Sequence, residues 1–180
     1  KAAPTANCGG TSAPNVKLGE AIGDNTVLSS TELSEDTIYT QISTNASSGA
    51  VINLKSNTAG CGGLLRAGAP AACDITPTTD DVESGDPEFG VKTATATNAD
   101  AGATGTLQAA GTYNASTYTM GYVSGDATGI TSTYGDPFLN TNSLPVNNKN
   151  MAITFAASAS NTTPAGFYSA DMSLIATGKF

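Results

Sequence analysis

The chain has 180 residues, a length that suits one sizeable domain and is short for two. Its formal net charge is -8 and its seven basic residues are scattered singly, so it lacks a cationic stripe and we expect no nucleic-acid partner. The sequence contains no histidine, which is the usual general base of a hydrolytic triad and a common zinc ligand, and we expect a protein that is not an enzyme.

Short runs of Thr, Val, Ile and Tyr are separated by Gly, Asn and Asp, whereas good helix formers are scarce. About nine or ten strands at regular spacing predict an all-β fold, an immunoglobulin-like or jelly-roll β-sandwich with an N-terminal extended arm. A charged fraction of only 12% and spaced cysteines are typical of exported proteins. We therefore expect an extracellular or cell-surface location after removal of an N-terminal signal peptide.

Residues 1–23 are predicted to form the arm, and residues 24–180 the single sandwich domain. The arm begins with small residues that supply almost no core, and its large apolar side chains come only at Val16, Leu18 and Ile22. This pattern is compatible with a β-strand that would be marginal on its own. We expect the three side chains to act as a donor strand that a groove must receive.

Two strong strands follow at residues 36–44 and 50–55. Ile38 and Ile42 share one face of the first strand, and apolar residues likewise alternate in the second. A short turn that contains Ser48 and Gly49 joins the two segments. We therefore expect them to pair as a hairpin.

The three cysteines, Cys8, Cys61 and Cys73, form an odd set. The segment 61–73 is rich in Gly, Ala and Pro and can close on itself, which favours a disulfide between Cys61 and Cys73. In the chain-entropy description such a loop stabilises a fold by about 3 kcal/mol. Cys8 would then be unpaired or bonded to another subunit, although its NCGG context is close to that of Cys61, and a bond from Cys8 to either of the others stays open.

The acidic residues are concentrated in one loop, at residues 80–88. Oxygen ligands at this density can hold calcium. The candidate ligands are Asp80, Asp81, Glu83 and Asp86. Their spacing does not match an EF-hand, and a solvated acidic loop is the alternative. No other cofactor is expected.

Two further features concern carbohydrate. Three glycosylation sequons fall in predicted turns, at Asn45, Asn114 and Asn161, although chance explains many sequons in a chain so rich in Asn, Ser and Thr. Three tyrosines lie close together in the sequence, at Tyr113, Tyr118 and Tyr122. They would form a carbohydrate-stacking surface if exposed, or ordinary sheet packing if buried.

Residues 164–180 are predicted to form one uninterrupted terminal strand. After a Pro-Ala-Gly turn, its residues alternate with a period of two and leave one largely apolar face. A strand at the chain end needs neighbours on its sheet, so this face is the predicted acceptor groove. Its residues are Tyr168, Ala170, Met172, Leu174 and Ala176.

The segment ITFAASASNTTPAGFYSADMSLIATGKF resembles the closing hairpin of secreted β-sandwich pilins and spore-coat-like surface subunits, with Phe180 at the position of their terminal aromatic residue. The segment resembles TasA-like and archaeal surface-fibre subunits to a comparable degree. In the pilins, a sandwich that lacks one strand is completed by the N-terminal extension of the next subunit. The resemblance therefore implies donor-strand exchange between copies of the same chain.

Together with the arm, this resemblance predicts a structural subunit of an extracellular filament assembled head-to-tail, whose partners are other copies of itself. Membrane contact would come only through cell-surface anchoring and not from this chain. Two alternatives stay open. One is a secreted carbohydrate-binding or adhesive module, and the other is a surface-layer lattice protein with calcium-dependent assembly.

Overall fold

The computed structural model describes residues 15–22, 25–57, 61–69, 73–94, 97–98, 104–120 and 135–180. Within these ranges the chain forms thirteen β-strands and no α-helix, so the predicted all-β fold is confirmed. No helix in these ranges has the length and apolarity needed to cross a membrane. The strands are β1 (Glu20–Ile22), β2 (Asn25–Val27), β3 (Ser34–Thr44), β4 (Ala50–Ser56), β5 (Leu65–Arg66), β6 (Thr76–Pro77), β7 (Glu88–Thr93), β8 (Thr97–Asn98), β9 (Gln108–Ala109), β10 (Asp136–Asn140), β11 (Val146–Ala157), β12 (Tyr168–Ser169) and β13 (Met172–Gly178).

Two larger sheets form the β-sandwich. One has the order β13-β4-β10-β9 and is antiparallel throughout. The other has the order β3-β11-β7-β6, with β8 also paired to β11, and only the short β6 runs parallel to its neighbour. The remaining described strands form two small ribbons, β1 with β2 and β12 with β5. As a result, β13 and β3 are the terminal strands of their sheets.

The core lies between the sheets because their central strands alternate buried and half-buried residues. One sheet contributes the buried side chains of Ile52 and Leu54 on β4 to this core, and the other contributes those of Ile153 and Phe155 on β11. The ring of Phe155 stacks on that of Phe89 in β7, with centroids 6.0 Å apart. Full burial of side chains of this size stabilises a fold by roughly 1.5–3 kcal/mol each.

The predicted hairpin between residues 36–44 and 50–55 is wrong, because β3 and β4 lie in different sheets. β3 pairs with β11, whereas β4 lies between β10 and β13. The connection passes from one sheet to the other at Gly49, which has a φ of 72° and packs so closely against Thr141 that a Cβ would not fit. Both sheets bury an apolar face in the same core, so alternation shows which face is buried but not which strand is the partner.

The predicted terminal strand at residues 164–180 is interrupted. β12 pairs with β5, with Tyr168 opposite Arg66, whereas β13 pairs with β4 along its whole length. The change of partner falls near Asp171, whose carbonyl oxygen accepts a hydrogen bond from the Asn57 backbone N–H. The period-2 pattern continues across this break, so the pattern alone did not reveal it.

The predicted disulfide between Cys61 and Cys73 is confirmed, with Cα atoms 5.8 Å apart. It closes the loop that carries β5, and an isolated bridge between Leu64 and Ile75 pairs the two sides of that loop. Cys8 lies outside the described residues, so its state stays a prediction. The disulfide thus constrains the strand that pairs with β12.

Asp136, at the start of β10, gives the stability a pH dependence. Burial raises the pKa of this carboxyl from 3.8 to about 6. Because the fold disfavours the charged carboxylate, ionisation of Asp136 lowers the free energy of unfolding. This loss of stability is absent below about pH 4, grows as the pH rises and is complete above about pH 6. We expect Asp136→Asn to raise the free energy of unfolding by about 1 kcal/mol at neutral pH, a figure reduced for partial solvent access, and to have no effect near pH 4.

Urea unfolding at the two pH values measures this difference. The matched control is Asp80→Asn, which removes the same charge at an exposed position and should change stability by less than about 0.5 kcal/mol. An equal effect of Asp136→Asn at both pH values would contradict the assignment.

Candidate functional site

A groove of about 1100 Å³ opens at one edge of the sandwich. Its sides include Ile38 on β3 and Met172 and Leu174 on β13, so it lies between the terminal strands of the two sheets. A terminal strand presents backbone groups that an added strand can pair with. The groove therefore combines an opening between the sheets with two strand edges.

The floor of the groove is the hydrophobic core. Its buried lining side chains come from both sheets and from the disulfide loop, and they are Leu54, Leu64, Ile75, Phe89 and Phe155. Each of these is almost inaccessible to solvent, so the groove narrows onto the core itself. An occupant would extend the core rather than cover a flat surface.

One wall is the C-terminal segment. Four of the five residues predicted for the acceptor groove line it, and they are Tyr168, Ala170, Met172 and Leu174. The first three also pack against the core. Ala176 is exposed and does not line the groove, because the groove ends near Leu174 while β13 continues beyond it.

The other wall includes the arm of the same chain. Val16 and Leu18 line the groove, are half-buried and pack against the core. Between them, the Lys17 backbone N–H donates a hydrogen bond of 2.8 Å to the Asp36 carboxylate on β3. Ile22 lies in β1 opposite Asn25, and its side chain is outside the described part of the structure. Val16 and Leu18 thus line the same groove as four of the predicted acceptor residues, on its other wall.

The C-terminal wall is braced by the disulfide loop. Arg66 on β5 forms an ion pair with Asp74, with its Nε 2.6 Å from the carboxylate oxygen, and this hydrogen bond raises the pKa of the guanidinium. The Tyr168 hydroxyl donates to the Pro164 carbonyl oxygen, and burial, followed by the Asp74 charge, raises the pKa of the phenol. Gly166 lies against the Arg66 side chain, where a Cβ would be 2.7 Å from its Cδ. These contacts hold β12 in place beside the groove.

The rim of the groove exposes apolar side chains. Phe167 is 73% exposed, Val27 50% and Leu174 36%, and all three line the groove. Sequence reasoning did not single out Phe167, because it falls between the alternating positions of the terminal segment. An exposed aromatic ring beside an apolar opening is typical of a surface that another molecule covers.

Charge is distributed unevenly between the arm and the rest of the chain. The arm, residues 1–23, contains two lysines and one acidic residue, Glu20, and has a net charge of +1, whereas residues 24–180 contain five basic and 14 acidic residues, a net charge of -9. Asp171 lines the groove, and Asp36 holds the arm beside it. The arm and the body are therefore complementary in charge.

The acidic side chains of residues 80–88 make separate contacts. No group of three or more Cys, Asp or Glu side chains within the described ranges is arranged to hold a metal ion. The Asp81 carboxylate instead accepts the backbone N–H groups of Val82 and Tyr118, and the Glu88 carboxylate accepts that of Glu83. Asp80, Glu83 and Asp86 are exposed. The carboxylates of residues 80–88 therefore accept hydrogen bonds from backbone N–H groups or face solvent.

Two of the three clustered tyrosines are buried and do not form a carbohydrate platform. Tyr113 packs edge-on against Phe138, with ring centroids 4.8 Å apart. The Tyr118 hydroxyl donates to Glu35, and Lys92 Nζ lies 4.0 Å from the centroid of its ring. Burial, with the Glu35 hydrogen bond, raises the pKa of Tyr118. Tyr122 lies outside the described residues.

The three sequons differ in accessibility. Asn45 and Asn161 are exposed. The Asn114 side chain is occupied, because its amide donates to the Thr112 carbonyl and the Thr117 hydroxyl and its oxygen accepts the backbone N–H groups of Ser116 and Thr117. Attachment of a glycan at Asn114 would disrupt this turn, whereas the other two sites are open.

Comparison with known proteins adds no family to this description. No family, characterised protein or solved structure matches the chain. The groove, its apolar rim and the arm beside it are the features from which a function can be inferred.

Proposed function

We propose that the chain is a structural subunit of an extracellular filament, in which the arm of one copy inserts into the groove of the next. The observation that carries this proposal is a groove that reaches the core between the terminal strands of both sheets. An extended segment placed there would pair with a strand edge and bury alternate side chains. It would also cover the exposed rim at Phe167 and Leu174.

The occupant that fits best is the N-terminal segment of a second copy. Val16 and Leu18 already pack at this groove within one chain, so the same residues from another copy can make the same contacts, as in domain swapping. Only three residue pairs join β1 to β2, so little pairing must break for the arm to extend. An arm that enters the next copy leaves its own groove for the copy behind it, and such a contact repeats without closing.

Charge supports the same pairing. An arm with a net charge of +1 would approach a body with a net charge of -9 at a groove flanked by Asp36 and Asp171. Opposite charges speed encounter and fix orientation, whereas two acidic bodies repel each other at other surfaces. Head-to-tail contact is thus favoured over side-by-side contact. The resemblance of the C-terminal segment to pilins and surface-fibre subunits implies the same mode of assembly.

Negative-stain electron microscopy of the purified chain, with and without a calcium chelator, tests the proposal. We expect unbranched filaments that are one subunit wide and persist in chelator. Two-dimensional sheets that dissolve in chelator would instead support a calcium-dependent lattice. Single particles at all concentrations would contradict polymerisation and leave an adhesive module as the better interpretation.

A further inference from the structure

The position of the arm suggests a means of controlling assembly, and this inference rests on the proposed function. We propose that residues 15–18 occupy the β3 side of the groove of their own chain before assembly, so that the monomer cannot receive another arm there until this segment leaves. The arm would then be a plug in the monomer and a donor in the filament. A groove cannot accept a second arm at the positions that its own arm occupies.

Three contacts hold the plug. Val16 and Leu18 are half-buried against the core on either side of Lys17. The Lys17 backbone N–H donates to the Asp36 carboxylate over 2.8 Å, which ties the arm to β3 between the two apolar side chains. A hydrogen bond from a backbone N–H to a carboxylate is charge-assisted and stronger than a neutral one. The same carboxylate would receive the same N–H from an incoming arm.

Gly19 provides the bend that keeps the plug in its own groove. Its φ is 110°, a value that residues with a side chain rarely adopt. A Cβ at this position would lie 2.7 Å from the carbonyl carbon of Val27, so the arm folds back directly onto the backbone of β2. An arm extended toward another subunit needs neither the positive φ nor the close approach. Gly19 is therefore required by the closed form alone.

Because the closed and inserted arms make the same contacts, opening of the closed form should limit the rate of assembly. Gly19→Ala strains the closed form at Val27 and leaves the Val16 and Leu18 side chains and the floor of the groove unchanged. We expect it to raise the initial rate of filament growth roughly tenfold. The matched control is Gly111→Ala, which also carries a positive φ of 65° but lies in a turn with its nearest atom 3.5 Å away, and it should leave the rate within about twofold.

A covalent lock provides the second test. In a Cys8→Ser background, Lys17→Cys and Asp36→Cys in one chain are bridged by a short bifunctional thiol reagent while the protein is monomeric. We expect the bridged monomer to give no filaments. The same double variant left unbridged should still assemble, although more slowly than the wild type, because Asp36→Cys removes the carboxylate that accepts the Lys17 N–H. Light scattering follows the rates, and circular dichroism verifies that each variant is folded.

The outcomes separate the inference from the proposed function. Filaments from the bridged monomer, or Gly19→Ala growth no faster than that of Gly111→Ala, would overturn the plug while leaving a filament subunit in place. Failure of the wild-type chain to assemble under any condition would remove the proposed function and the plug together. Faster growth of Gly19→Ala with arrest of the bridged chain supports both.

Discussion

Leu174→Arg is expected to abolish filament assembly while the monomer stays folded. Leu174 lines the groove and is 36% exposed, so the longer side chain can reach solvent in the monomer and should change the free energy of unfolding by less than about 1 kcal/mol. An inserted arm would bury the guanidinium without a partner, which costs several kcal/mol. Each 1.4 kcal/mol weakens association about tenfold, so assembly at micromolar concentration should be lost.

Thr177→Arg is the matched control for this variant. Thr177 is exposed on the same strand, β13, but does not line the groove. Sedimentation velocity of both variants and the wild type should show large polymers for the wild type and Thr177→Arg, and monomers for Leu174→Arg. Normal polymers from Leu174→Arg would exclude this part of the groove as the docking surface.

Replacing both Cys61 and Cys73 with Ser is expected to lower the free energy of unfolding by about 3 kcal/mol, because the disulfide no longer restricts the unfolded chain. The loss should also loosen β5, whose pairing with β12 and whose Arg66–Asp74 ion pair brace one wall of the groove. Assembly should therefore weaken beyond what lower stability alone produces. Urea unfolding and filament yield measure the two effects.

Cys8→Ser is the control for the loss of a thiol. The structure pairs the other two cysteines, so Cys8 has no cysteine partner within its own chain and its replacement should leave the unfolding midpoint unchanged. Equal urea midpoints for the double variant and Cys8→Ser would contradict the stabilising role of the Cys61–Cys73 bond. A reducing agent should reproduce the double variant in the wild-type chain.

The features that could be predicted from the sequence are local ones. Alternation places Ile52 and Leu54 on one face of β4, and the structure buries both. The disulfide was predictable because Cys61 and Cys73 bound a short segment rich in Gly, Ala and Pro that can close on itself. The apolar face predicted for the C-terminal segment holds only at its start, because Tyr168, Ala170 and Met172 pack against the core whereas Leu174 and Ala176 are exposed.

Features that depend on distant parts of the chain could not be predicted. The pairing of β3 with β11 joins segments about a hundred residues apart, and nothing in the local pattern of either strand selects the other. Nothing in the sequence distinguishes Phe89 and Phe155, which form part of the groove floor, from other core residues. The two-residue strands, such as β5 and β12, are too short to show a period.

The arm combines a feature that could be predicted from the sequence with one that could not. Val16 and Leu18 are recognisable as an apolar pair in a polar segment, and the structure packs both against the core at one wall of the groove. That they lie in the groove of their own chain depends on the bend at Gly19 and the acceptor at Asp36. A glycine and an aspartate are common in any loop, so neither marked this role in the sequence.

The most direct measurement of the central claim is cross-linking between two different chains within one filament. One chain carries Lys17→Cys and the other Asp36→Cys, both in a Cys8→Ser background, and the two are mixed before assembly and then treated with the short thiol reagent. If the arm of one copy enters the groove of the next, the mixed filaments should yield covalent dimers that contain one chain of each kind. Filaments assembled from either chain alone should yield no covalent dimers. Mixed filaments without heterodimers, from chains in which the double variant bridges readily, would contradict arm insertion.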